Sequence, residues 1–160
     1  MIGLILSCYV FGDSLTSPAY SWANQLNHAG HNLQVNAVPA RRLVDLVVSP
    51  DYKKTAEIDC AILHLGSNDA TGSNRVDYVQ HYTEIIALFE GNGLQVYCVL
   101  PPRNDVWSVD WTRDATRAAC ANVIDVPTGM YIDGVHPSAF GHLLHGYQIY
   151  AEVQKLQHQK

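Results

Sequence analysis

The chain has 160 residues, 48% of them hydrophobic and 16% charged, with a formal net charge of −5. A length of this order buries roughly 70% of the unfolded surface in one core, so a single domain over 1–160 is expected and an intrinsically disordered chain is excluded. The acidic balance reads as solubility and argues against a nucleic-acid partner, since the basic residues form only the pairs Arg41–Arg42 and Lys53–Lys54 and are otherwise scattered.

In chain order, the almost wholly apolar run from Gly3 to Val10 has the pattern of a central parallel strand buried on both faces. It breaks at Phe11-Gly12-Asp13-Ser14-Leu15-Thr16. Ligands of open α/β sheets bind where such strands end, so Ser14 is read as a nucleophile, although Gly-Asp-Ser is also an ordinary turn sequence. Ser17-Pro18 is a cap followed by a proline at the first helical position. Trp22, Leu26 and Ala29 then keep one helix face until Gly30.

A second strand is expected over His31–Val38 and a helix over Ala40–Ser49, carried by Leu43, Leu46 and Val47 and ended by Pro50. The polar stretch 51–59 reads as a loop. Cys60–Leu65 forms a third apolar strand that breaks at Gly66-Ser67-Asn68-Asp69, repeating the pattern of the first. Val76, Val79, Tyr82, Ile86 and Phe89 recur at helical spacing between Arg75 and Glu90, with Gly91 and Gly93 as the stop.

Leu94–Leu100 is a fourth strand, closed by Pro101-Pro102 and followed by an irregular loop to Trp111. Thr112–Ala121 reads as a helix and Val123–Val126 as a short fifth strand. Ser138 to Leu156 is a last helix with Phe140, Leu143, Leu144, Tyr147 and Val153 inward. Strict alternation of strand and helix predicts a three-layer α/β/α sandwich around a parallel sheet of about five strands.

The four cysteines, Cys8, Cys60, Cys98 and Cys120, fall on apolar segments with no zinc spacing. They are expected to be buried reduced thiols, and with no secretory signal or membrane span in the sequence a cytoplasmic location follows.

Near the end of the chain, Tyr131-Ile132-Asp133-Gly134-Val135-His136-Pro137-Ser138 sets an acid and a histidine three residues apart just before a helix. A serine hydroxyl is a poor nucleophile at neutral pH unless an imidazole accepts its proton, and a carboxylate on the other ring nitrogen fixes the tautomer. Asp133 and His136 supply both. The tetrahedral oxyanion also needs donors, and Asn68 lies at the end of a strand that should neighbour the first.

Phe-Gly-Asp-Ser-Leu-Thr from Phe11, Gly-Ser-Asn-Asp from Gly66 and Asp-Gly-Val-His-Pro from Asp133 resemble, in order, the sequence blocks of the SGNH (GDSL-type) hydrolase family. The resemblance spans most of the chain. It implies a flavodoxin-like sheet and ester hydrolysis through a covalent acyl-enzyme without cofactor or metal. By position it makes Ser14 the nucleophile, His136 the general base and acid, Asp133 its orienting acid, and Asn68 an oxyanion donor beside the Ser14 N–H.

One block departs from the family pattern. Where an oxyanion glycine usually follows an asparagine, this chain reads Asn36-Ala37-Val38-Pro39-Ala40-Arg41-Arg42. The position falls on Ala40 or, with a one-residue gap, on Arg41; Ala40 is taken first. A backbone N–H survives the change, but a backbone conformation with positive φ would cost alanine or arginine what it spares glycine.

Arg41, Trp107 and Tyr131 are expected at the mouth as substrate contacts. His64 reads as a hydrogen-bonded core histidine, and His142 and His145 on the last helix do not complete a zinc site. The expected partner is a small-molecule or carbohydrate ester, most readily one with a short acyl group, since short connections leave little material for a lid. The alternatives are an O-acetyl-carbohydrate deacetylase and a non-catalytic binding module. A nucleotide-binding protein is disfavoured because no glycine fingerprint follows any strand.

Overall fold

A computed structural model of the chain describes residues 5–48, 57–104 and 106–158. Five strands pair in parallel: β1 (Ser7–Gly12), β2 (Asn32–Ala37), β3 (Cys60–His64), β4 (Gln95–Val99) and β5 (Val123–Ile124), in the order β2-β1-β3-β4-β5. The first two crossovers leave β1 in opposite directions, so the strand order reverses between β1 and β3. The crevice at the carboxyl ends of those two strands is where a fold of this class binds its ligand. Val10 pairs with Ile62 and Gly12 with His64, which brings the segments after Gly12 and His64 out side by side.

The alternation of strand side chains divides the core in two. Phe11, Leu63 and Cys98 pack under α2 (Leu43–Val48), α4 (Arg75–Gly91) and α5 (Asp110–Ala119), against Leu46, Tyr82, Phe89 and Ala115. Val10, Ile62 and Val99 pack on the other face against Trp22 and Leu26 of α1 (Trp22–His28) and Ile149 and Val153 of α6 (Ala139–Gln157). The expected α/β/α sandwich is thus present.

Several boundaries differ from expectation. Helix α1 begins at Trp22 rather than Pro18, because the hydroxyl of Ser21 caps it by accepting the Asn24 N–H while Ser17 and Pro18 continue the turn after β1. Helix α2 begins at Leu43, since Ala40 stands at φ 63° and cannot lie inside a right-handed helix. The expected stop at Pro50 and most of the 51–59 loop lie outside the described residues. A short helix absent from the sequence reading, α3 (Asp69–Gly72), follows Asn68.

The inward face of α6 is a larger correction. Phe140, Leu143 and Tyr147 are 55%, 50% and 71% exposed, and the buried positions are Gly141, His142, His145, Gly146, Ile149 and Val153. Small residues win because the helix packs closely: a Cβ on Gly146 would stand 3.4 Å from the Trp22 carbonyl oxygen, and one on Gly141 3.0 Å from Pro137. Val76 on α4 is likewise 75% exposed, and Tyr78 takes the inward place.

The cysteine expectation is overturned as well. Cys8 is joined to Cys60, its register partner across β1 and β3, and Cys98 on β4 is joined to Cys120 after α5. None of the four is a free thiol. The case for a reducing compartment, which rested on unpaired thiols, falls with them. Among the described residues no helix is long and apolar enough to cross a membrane.

His64 is fully buried, and its Nδ1 accepts from Trp22 Nε1 (3.1 Å) and lies 2.9 Å from Thr16 Oγ1. Burial, with His145 and His142 nearby, lowers its pKa to about 3. The folded protein therefore holds this ring neutral where an unfolded chain would protonate it, so its contribution is intact above the ordinary value of 6.5 and is lost as pH falls toward 3. A His64→Gln variant is expected to be less stable than wild type at neutral pH. The gap between their unfolding free energies, read from urea titrations, should close below pH 6.5, by at most about 1.4 kcal/mol per pH unit. A gap independent of pH would show that the ring's neutrality is not what this position contributes.

Candidate active site

The turn after β1 carries Ser14. Its tightness comes from Asp13, whose carbonyl accepts the N–H groups of Thr16 and Ser17 and whose carboxylate accepts the N–H of Leu15 (2.9 Å). The glycine before it is needed: a Cβ on Gly12 would stand 2.5 Å from Thr16 side-chain atoms. Ser14 is half-buried, and its Oγ lies 3.0 Å from His136 Nε2.

His136 is delivered by the segment between β5 and α6. Tyr131 and Pro137 form an antiparallel bridge, the Ile132 N–H donates to the His136 carbonyl, and Ser138 caps α6 through the Gly141 N–H. His136 Nδ1 lies 2.6 Å from Asp133 Oδ2, while Asp133 Oδ1 accepts the N–H groups of His136 (2.7 Å) and Val135 (3.0 Å). These bonds, led by the His136 N–H, hold the Asp133 carboxyl down at about 2, so it is ionised at any working pH. Hydroxyl, imidazole and carboxylate thus stand in a line of two short contacts.

Asn68 closes the opposite wall. Its amide nitrogen donates to Asp13 Oδ2 (3.2 Å) and to the Arg41 carbonyl (3.1 Å), linking the loops after β1, β2 and β3. Asp69 beside it receives the Leu43 N–H and the Ser73 hydroxyl, so the start of α2 is pinned to the end of β3. Burial raises the pKa of Asp69, and raises that of Asp13 to about 7 against the opposing Leu15 N–H.

At the departing block, Ala40 carries the positive φ that a glycine would hold without strain. The Arg41 N–H is spent on the Val38 carbonyl (3.2 Å), and its guanidinium is tied back to Asn36 through the backbone carbonyl and Oδ1, both at 2.8 Å. An alanine in the left-handed region costs about 1–2 kcal/mol, partly offset in glycine by greater chain entropy. Ala40→Gly should therefore raise the unfolding free energy by about 0.5–1 kcal/mol, read as a higher urea midpoint at unchanged slope. A lower midpoint would mean that the methyl group makes packing contacts outweighing the strain.

Trp107 and Tyr131 line two adjoining hollows that share Arg103 and Asn104. Trp107 belongs to one of about 340 Å³ and Tyr131 to one of about 460 Å³ that also includes Gly134, next to Asp133. Tyr131 donates its hydroxyl to the Arg103 carbonyl. Arg41 is in neither hollow. Sequence reasoning overlooked Arg113, buried and bound to the Pro101 carbonyl (2.7 Å) and to Asp125 (2.7 and 2.8 Å), which anchors the base of the Arg103–Trp107 loop. An arginine on the inward side of a short helix is the signal that could have marked it.

No family model and no curated protein matches the sequence. Solved structures do match the fold. A protein assigned to the lipolytic G-D-S-L family from Desulfitobacterium hafniense is 20% identical, with a TM-score of 0.75 over 91% of this chain and 98% of that one. Est24, a carbohydrate acetylesterase from Sinorhizobium meliloti, is 17% identical, with a TM-score of 0.70 over 94% and 99%. A protein assigned as an SGNH hydrolase from Slackia heliotrinireducens is 17% identical, with a TM-score of 0.69 over 94% and 100%. The chain has the fold of the SGNH, or GDSL-type, hydrolases.

Proposed function

We propose that the protein is a serine-dependent carboxylic ester hydrolase. The observation that carries this reading is the run Ser14 Oγ, His136 Nε2, His136 Nδ1, Asp133 Oδ2, with gaps of 3.0 and 2.6 Å between residues 122 and 3 positions apart in sequence. In the proposed reaction Ser14 Oγ bonds to the ester carbonyl carbon as its proton passes to His136 Nε2. Asp133 steadies the imidazolium through Nδ1. The tetrahedral oxyanion is held by the N–H groups of Ser14 and Ala40, and the Asn68 amide joins them by exchanging its bond to the Arg41 carbonyl for one to the oxyanion.

Collapse breaks the bond to the alkoxide, which leaves with the proton from His136. Water then adds to the acyl-enzyme with His136 again as base, releasing the acid and restoring Ser14. Ala40 rather than Arg41 is assigned the second backbone donor because the Arg41 N–H is already committed to Val38.

Short connections and open hollows favour a small acyl group such as acetyl. An O-acetylated carbohydrate is the second reading, supported by the polar rim of Arg103 and Asn104 with Trp107 and Tyr131 and by the acetylesterase among the fold relatives. A fluorophosphonate probe tests the main reading: it should label the peptide containing Ser14 and no other serine. Labelling elsewhere, or none in folded protein, refutes it. Nitrophenyl acetate should be turned over faster than a long-chain nitrophenyl ester, and a reversed preference would overturn the short-acyl assignment.

A further inference from the structure

From Leu15 to Ala40, and again from Gly134 to Ala151, the sequence holds no aspartate, glutamate, lysine or arginine. The fold sets these two runs side by side: α1 lies in the first, α6 takes most of its length from the second, and the helices approach closely where Gly146 meets Trp22 and Leu26. That layer of the sandwich is therefore free of fixed charge over α1 and about the first three turns of α6. The opposite layer is not, since Arg75, Asp77, Glu84 and Glu90 on α4 and Asp114 and Arg117 on α5 are all exposed. The uncharged layer also has relief. Phe140, Leu143 and Tyr147 form a projecting stripe at i, i+3 and i+7 on α6, each at least half exposed. Beside it runs a groove of about 250 Å³, lined by Trp22, Leu26 and Ala29 on one side and Leu143, Tyr147 and Tyr150 on the other.

We infer that this face docks a second copy of the chain about a two-fold axis, with the Phe140, Leu143 and Tyr147 stripe of each protomer seated over the groove of its partner. Aromatic enrichment with depletion of charge is the composition of an interface core. In a closed dimer one patch meets itself, so it must carry both projection and groove, as this one does. Two chains of net charge −5 repel each other, and this is the layer on which they can meet without setting like charges together. A lipid surface is a poorer match, because helices that lie on bilayers carry Lys or Arg on the polar face and these carry none up to Ala151. The free edge of β2 is also uncharged but is blunted: the Asn27 side chain bonds the N–H and carbonyl of Leu33 (2.7 and 2.8 Å), and the Arg41 guanidinium bonds the Asn36 carbonyl. From Ala139 to Ala151 α6 runs about 20 Å and two helices abreast are about 20 Å across, so the face covers about 400 Å² in plan and more in relief. That approaches the roughly 600 Å² per partner at the lower end of stable interfaces. The inference does not depend on the ester-hydrolase reading.

The test is sedimentation velocity on the full chain from about 1 to 200 µM, at about pH 8, above the range in which histidine ordinarily titrates, and about 0.15 M salt. Wild type should pass from monomer to dimer across this range. Leu143→Glu and Tyr147→Glu each place a carboxylate on the stripe of both copies and should raise the dissociation constant at least about 30-fold, the loss of one hot-spot residue. Leu88→Glu, at an exposed position on α4 in the opposite layer, should leave it unchanged. Wild type that stays monomeric throughout overturns the inference, and so does a dimer indifferent to both α6 variants.

A measurement on wild type alone covers the case in which a variant does not fold. On dilution through the same range, the backbone amide resonances of residues 22–31 and 139–150 should shift while those of 75–91 stay in place. Shifts confined to α4 or α5 would put the contact on the charged layer and overturn the inference. So would monomeric protein that sediments with vesicles of neutral phosphatidylcholine, which would give the face to lipid.

Discussion

Ser14→Ala is expected to lower kcat on an activated acetyl ester by a thousandfold or more, with the melting temperature nearly unchanged. The substitution removes one half-buried oxygen whose recorded partner is His136 Nε2, so little packing is lost. His136→Ala should lower kcat by a similar order, because without the imidazole nothing takes the proton from the hydroxyl as it attacks. The double variant should be about as slow as the slower single one, since hydroxyl and imidazole act as one unit and the remaining oxyanion donors set a common floor. Losses that multiply would mean that the 3.0 Å contact is not used in the reaction. Asp133, held at about 2, should contribute no limb to the pH dependence of the reaction near neutrality.

The parts of this arrangement that could be read from sequence are those fixed by strand ends. Apolar runs that stop abruptly at Gly12 and Leu65 identify strands buried on both faces, and a parallel sheet forces their carboxyl ends to one rim. That is why Ser14 and Asn68 could be paired across 54 positions before any coordinates. Asp133 and His136 were legible for a local reason, since three positions on one short loop suffice for the carboxylate to meet the ring. The inward face of α6 was not legible. Hydropathy assigns Leu143 and Tyr147 to the core, but α6 meets Trp22 and Leu26 of α1 at Gly146, where the close approach favours a residue without a side chain, and that separation is a tertiary quantity. The acceptors of the Asn68 amide were equally hidden, because Asp13 and Arg41 reach it from loops after two other strands.

Cysteine pairing was the reading most distant from the structure, and it leads to the second large expected effect. Each cysteine taken alone is a small buried hydrophobe, and only the register of β1 against β3, with Cys8 opposite Cys60, shows that two of them meet. The bridges close loops spanning 52 and 22 positions. Removing the loop-closure entropy of the unfolded chain then stabilises the fold by about 4 and 3 kcal/mol respectively in the chain-entropy account. Set against a typical net stability of about 5–15 kcal/mol, reduction of both should lower the melting temperature by roughly 15–25 °C. A phosphine reductant should act slowly on the folded protein, since all four sulfurs belong to buried residues, and rapidly once urea opens it. The Cys8→Ala/Cys60→Ala pair should be less stable than Cys98→Ala/Cys120→Ala. The longer loop favours that order, and the first bridge joins the strands that carry Ser14 and Asn68 at their ends. Alkylation of denatured, unreduced protein should find no free thiol; four alkylated cysteines would overturn the pairing and with it the expected loss of stability.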